Sequence, residues 1–159
     1  MPESPPPPPS EPERKPSWVA TCEEGEFAGW HYFPSRDTFD ALAGPFYFRK
    51  DADGRIRCAF RAEQRHMNAG RRMHGGVLMT FADIALFMLA WESMEGERGV
   101  TVQLDSTFLD AARVGDLVEA TGEVTRAGRS LIFARGQICA GERTLFTFSG
   151  VIKKVSKTA

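Results

Sequence analysis

An α+β fold, with an antiparallel sheet wrapped around one long central helix, is what this sequence predicts, on three observations. Residues 77–94 form an almost unbroken apolar segment that opens on His74-Gly75-Gly76. Beyond it lie three or four stretches of period-2 alternation, the pattern of half-buried strands. The positions facing inward on those strands include Ala120, Gly122, Ala134, Gly136 and Gly150, small residues that let a thick helix lie close. A helix that is apolar all round buries its circumference only where a curved sheet wraps it or a partner covers it.

The totals suit one domain. The chain has 159 residues and 42% hydrophobic content, enough for a real core. With 20 basic and 21 acidic residues its net charge is -1, which gives no electrostatic reason for a nucleic-acid partner or an anionic membrane surface. Segment 77–94 is close in length to the roughly 20 residues of a membrane span. Asp83, Thr80 and Glu92 argue for a buried helix instead, because an ionised group is costly in lipid. Cys22, Cys58 and Cys139 are odd in number, widely spaced and without a CxxC pair, so neither a disulfide framework nor a zinc cluster is indicated. A reducing compartment follows, and the prolines at 5–9 stand where a signal peptide would be apolar, so the cytoplasm is expected.

Taken in order, residues 1–17 are rich in Pro, Ser and charge and read as a disordered tail. Residues 18–45 read as an N-terminal helix or covering segment. Ser35 to Asp37 after Pro34 give a cap signal there, and Trp30, Phe33 and Phe39 are expected to roof something apolar. His31 sits among them without a second ligand at metal spacing and reads as a packed or exposed histidine. The main domain is 46–155. It opens with two strands, 46–50 and 55–62, around the turn cluster Asp51-Ala52-Asp53-Gly54. Residues 63–73 are polar and without period. After the helix, alternation puts Val100, Val102, Leu104 and Phe108 on one face and Thr101, Gln103, Asp105 and Thr107 on the other. Segments 116–126, 130–140 and 143–155 complete the meander.

The chemistry gathers around the helix. Successive glycines at its start let the backbone approach a ligand, and first-turn amides are unpaired donors reinforced by the helix dipole. Neither a Walker spacing nor a dinucleotide fingerprint is present, so an oxyanion is favoured over a phosphate. A carboxylate on a buried helix, as Asp83 is expected to be, suits a general base or nucleophile; the bland reading is a core Asp bonded to a strand hydroxyl. Gly75 and Asp83 lie roughly 12 Å apart along one helix, too far to serve both sides of one carbonyl. If both act on one substrate, a second subunit supplies one of them, and a two-fold dimer with antiparallel helices makes two equivalent sites.

Asn68, His74-Gly75-Gly76 and Asp83, followed by Gly99 to Leu104 and by Ala112 with Gly115-Asp116, resemble the hotdog-fold acyl-CoA thioesterases of the phenylacetate-pathway (PaaI-like) type. The resemblance covers about residues 46–154. It implies Gly75 as the oxyanion donor and Asn68 and His74 as the polar pair that positions the thioester. It further implies Asp83 as the acid that activates water or attacks directly, and Thr101 as the hydroxyl that orients the water. Asn68, His74 and Gly75 would face Asp83 and Thr101 of the neighbouring subunit, in a dimer at least and in a tetramer by analogy. Coenzyme A phosphates need cations, for which Arg71, Arg72, Arg126 and Arg129 are the candidates, Arg129 first, with Gly76 and Phe108 also at the substrate. No cofactor and no metal are implied. The alternatives are a non-catalytic acyl-CoA binding or sensing module, against which Asp83 beside Thr101 argues, and a hotdog enoyl-CoA hydratase, whose characteristic segments the sequence lacks.

Overall fold

The computed structural model describes residues 19–155, so the tail expected over 1–17 lies outside the described residues. Strands β1 (Ala20–Thr21) and β2 (His31–Tyr32) precede a one-turn helix, α1 (Phe39–Ala43). Then come the hairpin β3 (Tyr47–Lys50) and β4 (Ile56–Arg61), the long helix α2 (Gly75–Leu89), and β5 (Arg98–Phe108), β6 (Leu117–Ala127), β7 (Leu131–Ala140) and β8 (Arg143–Val155). One antiparallel sheet takes them in the order β1-β2-β3-β4-β6-β7-β8-β5. The strand that leaves the helix thus pairs with the last strand and stands at an edge.

Packing explains the small residues. α2 turns Leu78, Phe81, Ala82, Ala85, Leu86 and Met88 into the core. A Cβ at Gly150 would come within 2.7 Å of Leu86 Cδ2, and one at Gly122 within 2.7 Å of Leu89 Cδ1. Each large side chain so buried contributes about 1.5–3 kcal/mol. Phe81 stacks on Phe46 at 5.4 Å between centroids and meets the edge of Phe60 at 4.8 Å, which ties the helix to the first hairpin.

Four expectations need correction. The apolar run to residue 94 is not one helix. α2 stops at Leu89, and a 3-10 turn over Glu92–Met94 ends in left-handed backbone at Glu95 (φ 53°) and Gly96 (φ 77°). Before the hairpin, β1 and β2 extend the sheet, although neither was expected. The cap of α1 is Thr38, whose hydroxyl accepts the Ala41 N–H at 3.2 Å, rather than a residue of 35–37, because Asp37 adopts left-handed backbone. Finally, Phe39 does not roof the core: it is 64% exposed. Trp30 is buried, but with Phe27 and Ala59 on the sheet face opposite α2, since its neighbours Cys58 and Phe60 point the other way. Phe33 alone of the three packs against the main core.

Candidate active site

The site lies in two halves on α2. In the first half a β-bulge sets the direction of Thr101. β5 pairs Thr101 with Ile152 and then Gln103 with Val151, so Val102 is the extra residue. Simple alternation put Thr101 with Gln103, Asp105 and Thr107. The bulge instead turns Thr101 to the helix side, where Leu104 and Phe108 also point, while Gln103 stays on the outer face. There the Thr101 hydroxyl donates to Asp83 Oδ1 at 2.6 Å. Asp83 and Thr101 are both half-buried, on the flank of α2 next to the β5 edge. A hydroxyl whose hydrogen is committed to the carboxylate keeps its oxygen lone pairs as acceptors for a water.

The second half surrounds the start of α2. His74 is its N-cap, and His74 Nδ1 accepts the Gly76 N–H at 2.9 Å while its carbonyl accepts the Val77 N–H at 2.9 Å. With Nδ1 an acceptor, a neutral imidazole carries its hydrogen on Nε2. Gly76 is therefore engaged in the cap. Gly75 is different: as the first helical residue its N–H has no partner within the helix, and none is drawn from elsewhere among the described residues. Phe108 lies close against Gly75: a Cβ there would stand 2.8 Å from Phe108 Cε1, so a larger residue would have to displace that ring. Phe108, itself edge-on to Phe146 at 4.8 Å, walls the helix start and remains more than half exposed.

Asn68 belongs to the same mouth. Its Oδ1 accepts from Gly70 N–H at 2.9 Å and Arg72 N–H at 3.2 Å, which turns the loop and leaves the amide nitrogen end for a ligand. Arg72 stands 3.9 Å from Asp110. Asp110 is held below the usual carboxylate range by the Ala111 N–H first and Arg143 next. Arg126 and Arg129, both exposed, lie on or beside the β6–β7 hairpin. That hairpin is at the Thr101 end of the sheet, because Ala127 pairs with Ile132, Ile132 with Ile152 and Ile152 with Thr101.

One chain thus joins Asp83 to Thr101, and gathers Phe108 and the loop of Asn68 at the His74-Gly75 start of α2, eight residues of helix away. Among the described residues no group of His, Cys, Asp or Glu could hold a metal ion, and no helix is long and apolar enough to cross a membrane. Beside the first half, a partly open hollow of about 140 Å³ is lined by Tyr32, Phe33, Phe46 and Ile84 together with Ser35 and Asp40.

Sequence reasoning passed over His66, in a stretch read as polar and aperiodic. It is 3% exposed, and burial first, then the charge of Arg65, pushes its imidazole below its ordinary pKa, against the opposing pull of Glu63 and the Ala43 carbonyl. Nothing in period or spacing marks it, and only its hydrogen bonds reveal it.

A family model described as the thioesterase superfamily matches residues 70–147, a span holding both halves except Asn68. A Pseudomonas aeruginosa protein named as a candidate esterase is 38% identical over 111 residues, 69% of this chain and 83% of that one. Human acyl-coenzyme A thioesterase 13 is 28% identical over 95 residues, 60% of this chain and 68% of that one. Among solved structures, the Escherichia coli PaaI protein from the phenylacetic acid degradation operon superposes with a TM-score of 0.63 at 21% identity, covering 74% of this chain and 83% of its own.

Proposed function

Because the chain belongs to the thioesterase superfamily, we propose that it hydrolyses acyl-CoA thioesters at two equivalent sites, each shared between two copies of the chain. Membership makes it a hotdog-fold thioester hydrolase; the acyl-CoA substrate is carried over from the name of acyl-coenzyme A thioesterase 13. In the reaction, water sits against Asp83 and donates a hydrogen bond to Thr101 Oγ1. Asp83 takes a proton as the water oxygen bonds to the thioester carbon. The Gly75 N–H of the second copy stabilises the oxyanion that forms, at the positive end of α2. Collapse of that intermediate breaks the C–S bond, the thiolate leaves and takes up the proton that Asp83 received from the water, and free acid and coenzyme A result with Asp83 ionised again. His74 Nε2–H and the Asn68 amide nitrogen are donors placed to orient the thioester and its sulfur.

The observation that carries this reading is the match to the thioesterase superfamily over residues 70–147, a span that holds Gly75 with an N–H free of partners among the described residues and Asp83 bonded to the Thr101 hydroxyl at 2.6 Å beside the bulge. The second copy is supported by β5. It is an 11-residue edge strand, unpaired on its outer side among the described residues, with Val100 and Val102 47% and 53% exposed. Such an edge invites pairing with another chain. Two-fold pairing there would carry Asn68, His74, Gly75 and Phe108 of one copy toward Asp83 and Thr101 of the other. It would also bring Arg72 of one near Arg126 and Arg129 of the other, cations for the phosphates of coenzyme A. Thiol release from a panel of acyl-CoA esters tests the reading. Asp83→Ala should lower kcat by about 10² to 10⁴, and equal rates in the parent and the variant would refute it.

A further inference from the structure

The loop that carries Asn68 is closed by two histidines. The His74 N–H donates to the His66 carbonyl at 2.8 Å, Met67 and Met73 pair as a bridge, and the Asn68 N–H donates to the Arg72 carbonyl at 2.8 Å. His74 begins α2, so the His66 main chain sets the position of the helix start.

The His66 side chain is itself held on three sides. Its Nδ1 accepts the Glu63 N–H at 2.9 Å, its Nε2 lies 3.1 Å from the Ala43 carbonyl, and its ring stands edge-on to Phe60 at 5.3 Å. Only a neutral ring with its hydrogen on Nε2 makes both polar contacts. The neighbouring Arg65 donates to the carbonyls of Leu42, at 3.0 Å, and Gly44. Two adjacent side chains therefore hold three successive carbonyls at the end of α1, and the same short 3-10 turn (Gln64–His66) holds His74.

We infer that His66 is a positioning residue for thioester hydrolysis: it touches no substrate, but fixes His74 and the Gly75 amide against the covering segment. The inference rests on the thioesterase reading for its reaction and on the hydrogen bonds alone for its geometry. A misplacement on the order of 1 Å at such a donor can cost roughly a hundredfold in rate.

Two substitutions separate positioning from mere packing. His66→Phe keeps a ring against Phe60 and loses both polar contacts. His66→Gln keeps an acceptor for the Glu63 N–H in the manner of a capping box and an amide donor for Ala43. In steady-state assays His66→Phe should lower kcat by roughly tenfold or more with KM within about threefold of the parent, and His66→Gln should recover most of that loss. Hydrogen exchange at the His74 amide should accelerate in His66→Phe and return toward the parent in His66→Gln. If His66→Phe does not fold, His66→Asn, which keeps the Glu63 contact and loses the Ala43 one, must show the same kcat loss. Parental kcat in the contact-losing variant, or no recovery with Gln, overturns the inference. Should the parent release no thiol at all, the thioesterase reading fails by itself, and unchanged exchange at His74 would then overturn the positioning claim separately.

Discussion

At the scale of the residue, the proposed mechanism depends on one hydroxyl, that of Thr101, being turned toward the helix. Thr101→Val keeps the shape and removes the bond to Asp83, so kcat should fall by about ten- to a hundredfold; Thr101→Ser should stay within about threefold of the parent. A steady-state comparison of the two checks this, and equal activity of the valine and serine variants would mean that the 2.6 Å contact is ornamental to turnover. Asp83 was legible from the sequence because a charge interrupts an apolar helix, and His74-Gly75 because glycines follow a capping side chain. The orientation of Thr101 was not legible from period: alternation assigned it to the wrong face, since a bulge adds one residue and leaves no mark in composition. His66 was equally hidden, because its partners are backbone groups of residues 43 and 63.

At the scale of the element, α2 and the sheet approach as closely as their glycines permit. A Cβ at Gly122 would stand 2.2 Å from the Arg135 carbonyl oxygen, a backbone atom that cannot swing aside. Gly122→Ala should therefore destabilise the fold by about 1–3 kcal/mol, seen as a lower urea midpoint, and an unchanged midpoint would contradict the close packing. The hairpin β3–β4 and the meander β6–β8 could be read in advance because each strand is long enough to show its period and is bounded by turn residues. β1 and β2 could not, since two residues carry no period. The end of α2 was overestimated for a related reason. Apolar residues continue past Leu89 into a 3-10 turn, and hydrophobicity alone does not separate a helix from the turn that ends it.

At the scale of the whole molecule, function follows from what one chain cannot do. Eight residues of helix, about 12 Å, separate the Gly75 amide from Asp83, and in the proposed mechanism a second copy along the exposed β5 edge completes the two half-sites. An Asp83→Ala chain and a His74→Ala chain, each inactive alone, carry complementary intact halves. Mixed after co-expression, half of the dimers pair one of each, and each such dimer holds one wholly intact site of its two. Thiol release from the mixture should therefore reach about a quarter of the parental rate. A mixture no more active than the two variants assayed apart would contradict the shared site.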